Sequence, residues 1–352
     1  MFVERHYDYL YPLYKNTKKY FNETWTFQES KSYFIERRIY MSFILIIIGM
    51  VLLVKSADWF VDGSSNVAKS LGIPSLIVGL TIVAFGTSAP EAAVSVTASL
   101  NGMNDISIGN VVGSNICNLL LVLGLSGMFG SLTAKRKIIT RDFVYAIFSS
   151  VVLLILSFAF FIPKGTEGVL TRTNGLILLC FLGIYLYALI GDALRSVRTK
   201  EEKTEFNIKD VGLIIVGIIG IILGGQLVVN SATDIANMLN VSQNVIALTI
   251  VAIGTSLPEL VTSVVASRKG EVDIAIGNVV GSNIFNIFFI LGLSSAISPI
   301  TYGLDTFIDI IFMVFSSIVV YLLLLKNYRI GNKKGIILLG LYVLYMAYIL
   351  MR

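Results

Sequence analysis

One phrase occurs twice in this chain, as TIVAFGTSAPE at 81–91 and as TIVAIGTSLPE at 249–259. A second pair follows, DISIGNVVGSNICN at 105–118 and DIAIGNVVGSNIFN at 273–286. The offset is 168 residues throughout, and the register runs without a gap from Leu71/Leu239 to Ser126/Ser294, with 32 identities in 56 aligned positions. Self-similarity of this length marks two copies of one structural unit. Each copy also sets one glutamate, Glu91 or Glu259, inside a strongly apolar stretch.

The solvent for those stretches is lipid. Only 14% of the 352 residues are charged and 55% are hydrophobic, with a mean hydropathy of +0.82; a soluble domain carries about 25% charged residues. Apolar runs of membrane-spanning length fall near 41–60, 73–99, 106–130, 142–162, 174–194, 211–230, 241–266, 274–298, 304–325 and 331–351. None of them reads as a cleaved signal peptide. The expected fold is an all-α polytopic membrane protein with ten transmembrane helices.

Basic residues orient it. The connections after spans 1, 3, 5, 7 and 9 carry 16 Lys and Arg, against 3 after the even-numbered spans, so the first set is expected in the cytoplasm. Residues 1–40 depart from this pattern, with seven basic residues on a side expected to be external, and they hold no apolar span. They read as a polar N-terminal extension ahead of Met41, either accessory or a tail outside the membrane. The remaining divisions are a first five-helix repeat at 41–194, a short charged cytoplasmic loop at 195–210 and a second repeat at 211–352. Five is odd, so the second repeat enters the membrane upside down, with both termini external. Inverted repeats of this kind build secondary transporters with a binding site between the halves.

Several chemistries lack their residues. The only histidine is His6, far from both motifs, and the two cysteines, Cys117 and Cys180, lie inside expected spans as packing residues. A zinc site and a Ser-His-Asp triad therefore have no material, which argues against an enzyme. A net charge of +5 without a basic domain argues against nucleic acid as a partner. Neither a cofactor nor an obligate protein partner is implied; the partner environment is the bilayer.

An ionisable group deep in a membrane costs several kcal/mol unless paired or hydrated, and so marks function. Two in repeat-related positions, brought together by inversion, can share one divalent cation. Thr87, Ser88, Thr255 and Ser256 supply hydroxyl oxygens within a turn of each glutamate. Pro90 and Pro258 lack an amide hydrogen and free carbonyls one turn earlier, at Gly86 and Gly254. An all-oxygen donor set suits Ca²⁺ and Na⁺ rather than soft metals. On the next span Ser114 and Asn118 share a helix face, as do Ser282 and Asn286, because residues four apart are neighbours on a helix. Asn110, Asn115, Asn278 and Asn283 add polar density, suited to coordination or to pinning helices beside the site. Gly109/Gly113 and Gly277/Gly281 have the GxxxG spacing that lets helices approach closely.

These duplicated GTSxPE and GNVVGSNIxN phrases resemble the two alpha-repeats of the sodium/calcium exchanger family, within the calcium/cation antiporter superfamily. Ten spans with a short central loop are similar to its prokaryotic-type members. The resemblance implies a 5+5 helical fold in which spans 2, 3, 7 and 8 surround the ions. It also implies a ligand set of Ala84 (carbonyl), Thr87, Ser88, Glu91, Ser114 and Asn118, with Ala252 (carbonyl), Thr255, Ser256, Glu259 and Ser282 from the second half. Many such exchangers have an aspartate where this chain has Asn286, so the site carries two formal negative charges. Two charges match one Ca²⁺. They specify Na⁺ as the counter-ion less firmly, and leave proton or K⁺ coupling open. The expected activity is Ca²⁺/Na⁺ exchange across the cell membrane by alternating access. An ion channel is the rival from another class, but the chain has no filter motif.

Overall fold

The computed structural model describes residues 4–161, 168–196, 207–239 and 252–351. Its helices, in chain order, are α1 (Glu4–Leu71), α2 (Ser75–Thr87), α3 (Ala89–Leu100), α4 (Asn104–Gly130), α5 (Ile138–Ser157), α6 (Arg172–Arg195), α7 (Ile208–Met238), α8 (Ala252–Thr255), α9 (Leu257–Arg268), α10 (Val272–Ile297), α11 (Leu304–Leu325) and α12 (Asn332–Met351). Among the described residues eight helices are long and apolar enough to cross a membrane, the first over Arg38–Leu71, and the bent pair α2–α3 makes nine. Of the expected seventh span, 241–251 lies outside the described residues; α8 and α9 cover the rest. Helix α1 begins well before the apolar run that marks its span, so backbone helix continues into the expected N-terminal extension.

Two-stranded clips tie the connections together. Strand β1 (Leu132–Thr133) pairs with β4 (Arg329–Ile330), and β2 (Gly168–Leu170) pairs with β3 (Ile300–Tyr302), both antiparallel. The first clip joins the connections after spans 3 and 9, and the second those after spans 4 and 8. Ion pairs extend the sorting. Lys135 meets Asp273 at 2.6 Å and Lys69 meets Glu271 at 3.4 Å, while Asn66 donates to Asp210 at 3.0 Å; Lys137 meets Asp192, at the end of span 5, at 3.1 Å. Odd-numbered connections thus contact odd-numbered ones. At the other end Asn104, after span 2, donates to Thr301, after span 8, at 2.8 Å.

Burial separates an inner from an outer layer. In α10 94% of the most apolar window is buried, and in α4 72%, against 22% in α1 and 33% in α7. The outer helices expose Ile47 and Val51 of α1, Ile219 and Leu223 of α7, and Val343 and Leu344 of α12. Exposed apolar side chains on a helix of spanning length belong against acyl chains.

Helices α1 and α7 run along each other on a glycine seam. A Cβ at Gly220 would fall 2.0 Å from Ser56 Oγ, and one at Gly217 would fall 2.7 Å from Phe60 Cβ. Lipid offers no hydrophobic drive to join two apolar helices, so close backbone approach at small residues supplies the dispersion contact instead.

The duplicated motif folds into duplicated local structure. Helix α2 stops at Ser88 (φ −82°, ψ 6°) and α8 at Ser256 (φ −87°, ψ 3°), each followed by a helix with proline in its first turn. Proline fits there because its missing N–H would have no helical acceptor. The break bends α2 from α3 by 50°. Each second helix then ends in a turn through a left-handed glycine, Gly102 (φ 72°) and Gly270 (φ 79°), a conformation a Cβ would oppose.

Candidate cation site

The two breaks put Thr87–Ser88 and Thr255–Ser256 at the ends of short helical segments, where hydroxyls face inward. Glu91 and Glu259 follow in the first turn of α3 and α9. Both carboxylates are fully buried, and Thr87, Ser88, Ser256, Ser114, Asn118, Ser282, Asn286 and Ala84 are all buried beside them, with Thr255 at 8% exposure. The backbone is described from Ala252, which heads α8, so the second expected carbonyl is placed as helix backbone only.

The hydrogen bonds run crosswise between the halves. Ser88 of the first half donates to Glu259 Oε1 at 2.8 Å, and Ser256 of the second donates to Glu91 Oε1 at 3.5 Å. Thr87 donates to Asn278 Oδ1 at 2.9 Å, and Thr255 to Asn110 Oδ1 at 3.2 Å. Within each half Ser114 donates to Glu91 Oε1 and Ser282 to Glu259 Oε1, both at 3.4 Å. Ser282 also reaches the Ala84 carbonyl at 3.4 Å, which accepts from Thr87 Oγ1 at 3.3 Å. The repeat relation therefore holds at the level of individual bonds, as a two-fold arrangement of one motif requires.

What remains unbonded has a consistent chemistry. Among the described residues Oε2 of Glu91, Oε2 of Glu259, Oδ1 of Asn286 and both amide atoms of Asn118 are buried without a hydrogen-bond partner. Leaving one buried polar atom unsatisfied costs about 1–3 kcal/mol, more when it is charged. The two carboxylates also lie within electrostatic reach of each other, and like charges in a poorly polarisable interior repel strongly. A cation bound between them would satisfy the oxygens and cancel the repulsion. No cluster of three or more His, Cys, Asp or Glu side chains suited to holding a metal exists among the described residues. Two carboxylates, hydroxyls and amides suit a hard cation.

Other polar residues have structural duties that the sequence only half disclosed. Asn110 holds Ser95 Oγ at 2.9 Å while accepting from Thr255, and Asn278 holds Ser263 Oγ at 2.9 Å while accepting from Thr87. Both asparagines thus orient the threonines from the opposite half. Asn115 and Asn283 tie α4 to α10 through each other's carbonyls at 3.2 and 3.5 Å. Asn286 is not wholly free for an ion, since its Nδ2 donates to Asn115 Oδ1 at 3.0 Å. Wide π-helical turns begin at Asn118 and at Asn286, the kind of local widening that recurs at functional positions.

Gly86 and Gly254 also serve packing. A Cβ at Gly86 would lie 3.0 Å from Ile218 Cδ1, and one at Gly254 would lie 2.2 Å from Val229 Cγ2. Both glycines let α7 pass close to the breaks, a reason that proline chemistry alone did not disclose.

Fold and geometry together define a polytopic membrane protein with a buried, oxygen-rich polar cluster between two related halves. The model of the family described as sodium/calcium exchanger protein matches residues 41–191 and 209–351. Inner membrane protein YrbG of Escherichia coli (strain K12) is 36% identical over 321 residues, covering 86% of this chain and 95% of the relative. Sodium/calcium exchanger MaX1 of Methanosarcina acetivorans is 31% identical over 350 residues, covering 88% and 98%. The solved structure of the sodium-calcium exchanger NCX_Mj soaked with 10 mM Na⁺ and zero Ca²⁺ superposes with a TM-score of 0.76 at 32% identity, over 88% of this chain and 99% of that one. The chain belongs to the sodium/calcium exchanger family.

Proposed function

We propose that this chain is a secondary antiporter exchanging Ca²⁺ for Na⁺ across the cell membrane by alternating access. Glu91 and Glu259 hold Ca²⁺ together with Thr87 and Thr255. Ser88, Ser256, Ser114, Ser282, Asn118, Asn286 and the carbonyls of Ala84 and Ala252 complete the oxygen shell and offer positions to Na⁺. Competition for the same oxygens couples the two fluxes. The observation that carries this reading is the crosswise pairing of serines with Glu91 and Glu259 Oε1, with both Oε2 atoms buried and without a donor among the described residues.

The topology in this reading has ten spans in two inverted sets of five, divided by the loop at 195–210. The mutual contacts of the odd-numbered connections support it. Their 16 Lys and Arg support a cytoplasmic location for that end, with both termini outside.

Asn118 and Asn286 together favour one alternative. With two carboxylates the site is neutral around one Ca²⁺, and a return load of several Na⁺ is not matched by fixed charge, so proton or K⁺ coupling is the second reading. Reconstituted liposomes loaded for ⁴⁵Ca²⁺ uptake, with Na⁺, K⁺ and proton gradients imposed one at a time, separate the two. Uptake driven by the Na⁺ gradient alone is expected; uptake driven only by H⁺ or K⁺ selects the alternative, and uptake needing no counter-ion gradient removes both.

A further inference from the structure

Four buried asparagines stand where α4 meets α10, and the repeat matches Asn115 to Asn283 and Asn118 to Asn286. The first two lock each other. Asn115 Nδ2 donates to the Asn283 carbonyl at 3.2 Å, and Asn283 Nδ2 to the Asn115 carbonyl at 3.5 Å. A carboxamide is planar, so fixing its NH₂ also fixes where its oxygen points. Asn115 Oδ1 accepts from Asn286 Nδ2 at 3.0 Å. The repeat-related acceptor for Asn118 is Asn283 Oδ1. That atom is buried without a partner among the described residues, as are both amide atoms of Asn118. Each half therefore holds an acceptor for the other half's amide, and one of the two bonds is made.

Asn118 and Asn286 each follow by one turn a serine, Ser114 or Ser282, that donates to Glu91 or Glu259. At such a position an amide can turn either end inward. With its NH₂ inward it donates to a carboxylate and opposes a cation; with its oxygen inward it adds a ligand. In Asn286 the NH₂ is taken by Asn115, and Oδ1 is the atom buried without a donor among the described residues. We propose that Asn115 and Asn283 are positioning residues that take the NH₂ groups of Asn286 and Asn118 and so commit both side-chain oxygens to a hard divalent cation. Asn286 is held in that sense already, and Asn118 reaches it by turning its NH₂ to Asn283 Oδ1 as its oxygen meets the cation. The inference rests on the Ca²⁺ reading of the site and goes beyond it by giving two residues outside the ligand set control of amide polarity.

Aspartate separates this role from packing, because a carboxylate turns an oxygen inward whichever way it faces and needs no partner to set its polarity. Asn115→Leu, close to asparagine in shape, raises the half-saturating Ca²⁺ concentration about threefold to tenfold, the net worth of one hydrogen bond. That shift disappears in an Asn286→Asp background and persists in Asn118→Asp. Asn283→Leu raises half-saturation about twofold to fivefold, since ordering Asn118 consumes part of the bond. That shift disappears in Asn118→Asp and persists in Asn286→Asp. Side chains that only tie α4 to α10 would carry the same shift into every background.

The test measures ⁴⁵Ca²⁺ equilibrium binding to the purified full chain in detergent, with the thermal midpoint as the check that each variant is folded. Asn115→Ser and Asn283→Ser, which shorten the side chain without adding an apolar group, replace a leucine variant that does not fold. Shifts abolished only by the aspartate at the partner position support the inference. Shifts of equal size in every background, or none reaching twofold, overturn it while wild-type Ca²⁺ binding leaves the site reading intact. A wild-type chain that binds no Ca²⁺ removes both.

Discussion

The two halves of the site share their residues and differ in how firmly those residues are held. Glu259 accepts a short bond from Ser88 at 2.8 Å, while both donors to Glu91 stand at 3.4 and 3.5 Å. Asn286 is tied to Asn115, whereas both amide atoms of its repeat partner Asn118 are buried without partners among the described residues. Helix α10 packs its glycines on α2, with a Cβ at Gly281 only 2.7 Å from Ala84 Cβ and one at Gly277 3.0 Å from Gly79. For Gly109 and Gly113 nothing comes within 4 Å among the described residues, and the repeat partners of Gly79 and Leu80 lie in 240–251. Duplication fixes the types of atoms around the two carboxylates. The unequal bond lengths and the Asn286–Asn115 tie show that the two copies are not held alike.

The largest expected effect tests what the halves have in common. Glu91→Gln or Glu259→Gln should each abolish exchange, by on the order of a hundredfold or more, since either leaves one carboxylate to face a divalent ion. Na⁺-driven ⁴⁵Ca²⁺ uptake retained in both variants would break the shared-site reading. Next comes packing. Gly281→Val places methyl groups into Ala84 and the Leu80 backbone, and should cost about 1–3 kcal/mol of stability by overpacking. Thermal unfolding in detergent checks this, and an unshifted midpoint removes the close-approach argument.

Two smaller effects sharpen the difference between the halves. Ser88→Ala should raise half-saturating Ca²⁺ about tenfold and Ser256→Ala about twofold, because the shorter bond orients its carboxylate more firmly. Equal shifts would mean that the unequal lengths have no energetic meaning. Asn118→Asp introduces a third carboxylate where no donor waits among the described residues. It should steepen the Na⁺ dependence of uptake more than Asn286→Asp, which must first give up the bond to Asn115. The smallest effect lies outside the site. Lys269 ties the α9–α10 turn to Asp58 and Asp62 of α1 at 2.7 Å each; exposed pairs are worth about 0.2–1 kcal/mol, so Lys269→Gln should change the transport rate less than about fivefold.

Much of this was legible in the sequence because duplication writes the site twice. The glutamates, threonines and serines of both GTSxPE phrases converge as their spacing implies, and Pro90 and Pro258 follow real breaks at Ser88 and Ser256. The crosswise partners were not legible. Nothing in one linear register says that Thr87 binds Asn278 rather than Asn110, because that depends on how the inverted halves interleave. Gly86 and Gly254 likewise gained a packing role only once α7 was seen passing the breaks. Cys117 read as a packing residue and lies buried in α4.

Calcium stoichiometry tests the shared site most directly. One Ca²⁺ held jointly by Glu91 and Glu259 predicts one high-affinity Ca²⁺ per purified chain, displaced by Na⁺ and lost entirely in either Glu91→Gln or Glu259→Gln. Two Ca²⁺ per chain, with each variant keeping one, would show two independent half-sites and contradict it.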